Sequence, residues 1–173
     1  MDRITIARRL AGGGVFIAAL GLASPALAQS TASSNLSVTA TVTANCAVTT
    51  SPVAFGSVDT LSGTNVDASG GISVTCTSGT GWTATASAGA GSGASLLTRR
   101  MTLGSGTSTL NYSLYTNSTR TTVWGDGSGT TGTITNSGTG SAQAITIYGR
   151  VPSGQASVPA GSYADTVAVT VTY

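Results

Sequence analysis

Apolar and polar residues alternate with a period of two along much of this chain, the pattern of half-buried β-strands. Leu36, Val38, Ala40 and Val42 alternate with Ser37, Thr39, Thr41 and Thr43. Ile72, Val74 and Cys76 form a second set, and Leu110, Tyr112 and Leu114 a third. Ile145, Ile147, Gly149 and Val151 make a fourth, and Trp82, Ala84 and Ala86 a weaker one. The cleanest run spans 166–173, where Val167, Val169, Val171 and Tyr173 alternate with Thr166, Ala168, Thr170 and Thr172.

Clusters of Gly, Ser, Thr and Asn separate these runs at 60–71, 87–95, 104–109, 125–132 and 136–141, and they predict loops and turns. No segment after the first 28 residues follows a helical period. Many short strands between Gly-rich turns predict an all-β sandwich or barrel in one domain. The run 36–43 admits two placements. It is either the first strand of its own sheet or an extension that completes another subunit. Burying Leu36, Val38, Ala40 and Val42 contributes roughly 5–8 kcal/mol gross in either case.

The N-terminus changes the picture of charge. Arg3, Arg8 and Arg9 precede the apolar run Leu10–Ala23, and Ser24-Pro25-Ala26-Leu27-Ala28 supplies an A-x-A cleavage site. This predicts a secretory signal peptide over 1–28 and a mature chain from Gln29, with no membrane span in it. The formal charge of +2 lies wholly in that leader. Beyond it Arg99, Arg100, Arg120 and Arg150 balance Asp59, Asp67, Asp126 and Asp165. Export also frames Cys46 and Cys76 as a disulfide. Closing a loop of about 30 residues contributes roughly 3.5–4 kcal/mol.

Composition removes several functions. The 173-residue chain has no His, Lys or Glu, and charged residues make up 7% of it. A His-dependent nucleophile, an imidazole metal ligand and a Schiff-base lysine are all excluded. A neutral body has no basic stripe for nucleic acid. The match to G-x-G-x-x-G at 127–132 lacks the strand, helix and acid of a dinucleotide site, so it reads as a loop. Trp124-Gly125-Asp126-Gly127 offers one carboxylate, too few for calcium, and reads as a tight turn. The dispersed Asp residues read as turn carboxylates. Arg99-Arg100 reads as a solvated edge or half of an ion pair. No enzyme activity and no cofactor are expected.

Several segments in order resemble the spore coat protein U domain family, shared with Csu-type pilins of the archaic chaperone–usher pathway. They are Val42-Thr43-Ala44-Asn45-Cys46, Phe55-Gly56, Ile72-Ser73-Val74-Thr75-Cys76, Arg100-Met101 and Leu110-Asn111-Tyr112-Ser113-Leu114-Tyr115. Trp124-Gly125-Asp126-Gly127, Tyr148-Gly149-Arg150-Val151 and Gly161-Ser162-Tyr163-Ala164-Asp165-Thr166 complete the set. The resemblance spans about Leu36 to Tyr173, and the 87–95 segment aligns to nothing in it.

The resemblance implies an incomplete immunoglobulin-like β-sandwich over 45–173, completed by a donor strand from a neighbouring subunit. The extension 29–44 would supply that strand through Leu36, Val38, Ala40 and Val42. Strand 166–173, with Val167, Val169, Val171 and Tyr173, would border the groove and contact a periplasmic chaperone. The disulfide would be Cys46–Cys76. Implied partners are further copies of this chain or related pilins in a head-to-tail polymer, the chaperone and an outer-membrane usher. The product would be a surface fimbria, exported through the periplasm, that supports adhesion and biofilm formation. The alternative is a secreted spore-coat or matrix protein with 36–43 paired in its own domain.

Overall fold

The computed structural model describes residues 28–104 and 106–173. The signal peptide expected over 1–28 lies outside them except for Ala28. Among the described residues there are nine strands: β1 Cys46–Ser51, β2 Val66–Cys76, β3 Gly81–Ala86, β4 Arg99–Leu103, β5 Thr109–Tyr115, β6 Ile134–Ser137, β7 Gln143–Val151, β8 Tyr163–Ala164 and β9 Val169–Thr172. One sheet runs β1-β2-β7-β5-β4-β8 and the other β6-β3-β9. Neighbouring strands are antiparallel throughout. The molecule is an all-β sandwich, as the alternation predicts.

The period-two pattern determines which side chains are inside. Ile72, Val74 and Cys76 of β2, Leu110, Tyr112 and Leu114 of β5, and Ile147 and Val151 of β7 are buried. Trp82, Ala84 and Ala86 of β3 belong to the same core, where small alanines admit Trp82 and Trp124. Both indole N–H groups find acceptors: Trp82 donates to Gln143 Oε1 at 3.3 Å and Trp124 to the Ala84 carbonyl at 3.2 Å. Buried indoles need such partners.

Three expectations change. Residues 66–71 are strand, not loop, because β2 begins at Val66. Glycine allows this: a Cβ on Gly71 would stand 2.9 Å from the Ile145 carbonyl oxygen, so backbone packs where a side chain would sit. The run 166–173 pairs only over Val169–Thr172. Residues before Val169 instead carry the chain from β8 in one sheet to β9 in the other. Arg99 is no solvated edge. It lies on β4, wholly buried, and donates to the carbonyls of Ser87 at 2.9 Å, Leu96 at 3.1 Å and Trp124 at 2.7 Å.

The chain divides into two units, Met1–Thr39 and Ala40–Tyr173. In the first, the described residues 28–39 form no strand and are exposed throughout. In the second, residues 40–45 precede β1 and are likewise exposed and unpaired as strand.

Candidate functional groove

The site lies where each sheet ends in an edge with one neighbour. Among the described residues β1 pairs only with β2, and β9 only with β3. Both edges therefore keep a row of unpaired backbone N–H and C=O groups. The edges come together at one end, where the Tyr173 hydroxyl lies 3.4 Å from Asn45 Oδ1. They diverge toward the other. There Thr50–Val53 and Phe55 face Tyr163–Val167 and Val169 across a cavity of about 430 Å³.

Core side chains form the floor. Ile72, Leu114, Trp124 and Ile147 reach it from beneath, with Tyr112 and Met101 beside them. The groove is therefore an opening into the hydrophobic core. A second, more polar concavity of about 700 Å³ adjoins it under residues 53–61 and 158–163. Asp59 and Tyr163 are the ionisable side chains lining that one. Among the described residues no cluster of His, Cys, Asp or Glu could hold a metal ion.

Val167, Val169 and Val171 are half-buried and pack against the core, while Tyr173 is 55% exposed. Cys46 and Cys76 form a disulfide, with Cα atoms 4.1 Å apart. It joins the first register pair of β1 and β2. The next residue outward is also held: Asn45 N–H donates to Thr77 Oγ1 at 3.1 Å, and Thr77 N–H to the Asn45 carbonyl at 2.9 Å. Leu36, Val38 and Val42 are 87%, 84% and 83% exposed, and Ala40 is exposed as well. These four residues are assigned to no strand.

Polar residues that sequence patterning did not single out shape the groove wall. Asp165 lines the cavity and accepts from the Tyr112 hydroxyl at 2.7 Å, Ala90 N–H at 2.7 Å and Thr166 N–H at 2.7 Å. Burial, reinforced by the hydrogen bond to Asp165, pushes the Tyr112 phenol far above its usual range. Burial also pulls Arg99 below the ordinary guanidinium range, while Tyr112 and Asp165 oppose that shift. The hints in the sequence are that Asp165 stands just before the apolar alternation of Val167, Val169 and Val171, and that it falls within the family-like segment 161–166.

The profile of the Spore Coat Protein U domain matches residues 32–170. Protein U of Myxococcus xanthus is 41% identical over 80 residues, which are 46% of this chain and 43% of that protein. A crystal structure of the CsuC–CsuE chaperone–tip adhesion subunit pre-assembly complex, from archaic chaperone–usher Csu pili of Acinetobacter baumannii, superposes with TM-score 0.55 at 23% identity. That match covers 77% of this chain and 40% of the other. The chain thus spans less than half the length of both relatives. The likeness gives the fold: an immunoglobulin-like β-sandwich.

Proposed function

The chain belongs to the Spore Coat Protein U domain family, and from that premise we propose that it is a structural subunit of a surface pilus built by donor-strand exchange. The family is one of structural subunits, not enzymes. In this reading the exposed segment Leu36–Val42 of one subunit enters the groove between β1 and β9 of the next. Each inserted strand would satisfy two unpaired edges and cover the floor formed by Ile72, Leu114 and Ile147. Extended-strand addition draws affinity from backbone bonds and specificity from alternate side chains. Such a head-to-tail contact does not close on itself, so it propagates a fibre.

The observation that carries this reading is the apolar groove, open to the core and bordered by two unpaired strand edges. A free monomer with such an opening is an aggregation hazard. A periplasmic chaperone would cover it until an outer-membrane usher exchanges it for the next subunit. The chaperone-bound state of the Csu tip subunit supports that step by analogy of fold. The fibre would stand on the cell surface and serve adhesion and biofilm formation.

Deleting residues 29–44 is expected to abolish polymerisation while leaving an acceptor that folds and binds chaperone. Fibres formed by the truncated protein, seen by electron microscopy, would reject donor exchange. On the donor itself, Val38→Asp is expected to block assembly and Thr39→Asp to be tolerated. Equal effects from the two would reject the assigned face.

A further inference from the structure

We propose that Asp165 is a positioning residue whose hydrogen bonds prop the groove open for an incoming strand; this rests on the donor-strand reading above. The groove wall at its wide end is the crossover from β8 to β9. Nothing in strand pairing holds that crossover, because β8 ends at Ala164 and β9 begins at Val169. Val167 and Val169, half-buried at the cavity, would bury more apolar surface by closing onto Ile72 and Ile147. An open groove therefore needs something to hold the wall back.

The crossover is tied at both ends. At its start, one Asp165 oxygen takes the Tyr112 hydroxyl of β5, and the other takes the backbone N–H groups of Ala90 and Thr166, all at 2.7 Å. At its end, Ala168 N–H donates to Ser87 Oγ at 2.9 Å and the Ala168 carbonyl accepts from Ser87 N–H at 2.9 Å. Ser87 is itself fixed, since its carbonyl accepts from the buried Arg99 Nε at 2.9 Å. Charged acceptors make the stronger hydrogen bonds, so Asp165 is the firmer of the two ties.

The Gly/Ala-rich segment 87–95 gains a purpose here. Gly89 adopts φ +88, and a Cβ at that position would collide with the Asp165 carboxylate. Only glycine lets the loop bring Ala90 N–H onto that oxygen. Without the tie, the strand-competent open wall becomes a minor state, and apparent affinity for a donor falls by the fraction that stays open.

The test uses the purified mature protein and a fluorescent peptide carrying residues 33–44. Uptake is followed by anisotropy, groove exposure by an apolar dye, and stability by melting of the peptide-filled product. Asp165→Ala is expected to slow uptake about tenfold, a factor equivalent to ~1.4 kcal/mol. Dye binding should fall as the wall closes, and the filled product should melt close to wild type. Tyr112→Phe, which removes the Tyr112 bond and keeps the ring in place, and Asp165→Asn, which removes the charge and one of the two acceptor oxygens, should give smaller losses in the same direction. They also carry the test if the alanine variant does not fold. Unchanged uptake in all three overturns the proposal. So does slower uptake with increased dye binding, because that marks a loosened domain and not a closed wall. If the wild-type protein takes up no peptide at all, the donor-strand reading fails and the prop with it.

Discussion

Asp67 stands directly opposite Arg150 in the β2–β7 register, so the strands themselves bring the two charges together. Arg150 grips it with Nε at 2.7 Å and Nη2 at 2.9 Å, and Arg120 adds Nη1 at 3.2 Å. Arg120 is held in turn by the Gly149 carbonyl at 3.2 Å and by the face of Tyr148, 5.7 Å from the ring centroid. The Arg150 hydrogen bond, with the field of Arg120, keeps the Asp67 carboxyl below its usual range. The sign follows from linkage. A depressed carboxylate stabilises the fold above its unfolded value of about 3.9, and that share is lost as pH falls through the folded value. Urea unfolding at pH 7 and pH 3 should therefore show a larger acid loss for wild type than for Asp67→Asn. Equal losses would place the acid sensitivity elsewhere.

Among elements, the segment after β1 packs tightly against β7. A Cβ on Gly149 of β7 would stand 2.6 Å from Val53 Cγ1 and 2.8 Å from Phe55 Cζ. Gly149→Ala should push this side of the groove outward and cost ~1–3 kcal/mol by overpacking. Denaturant unfolding checks it, and an unchanged midpoint would mean that the 52–55 segment yields freely. Strands β3, β5 and β7 and the second half of β2, from Ile72 to Cys76, were legible because each buries an alternating face. Strand β4 was hidden by Arg99-Arg100, whose charges look solvated until three carbonyls are found around Arg99. Strand β8 has two residues and carries no period at all. The run 36–43 has the clear alternation of a strand yet forms none, since a pattern specifies a buried face and not the sheet that buries it. At the groove, Val167 and Val169 were legible from periodicity. Asp165 was not, because its partners Ala90 and Tyr112 lie 75 and 53 residues away in the chain.

For the molecule as a whole, the chain beyond residue 28 carries four arginines against four aspartates, so it offers little electrostatic resistance to stacking on its own kind. Its stability leans on the Cys46–Cys76 bond, which closes a separation of 30 residues. Cys46→Ser with Cys76→Ser should lower unfolding free energy by roughly 3.5–4 kcal/mol. Guanidinium titration measures this, and a loss well below ~1 kcal/mol would show that the reduced chain is already constrained. The position of the bond has a mechanical consequence. A chain pulled by the arm that precedes Asn45 receives its load at the first register pair of β1. An uncrosslinked edge strand would peel from that end, breaking its ladder one pair at a time. With Cys46 bonded to Cys76, tension bypasses the edge and enters β2, whose ladder to β7 runs from Val66 to Val74. The edge strand β1 is spared because the force never has to travel along it.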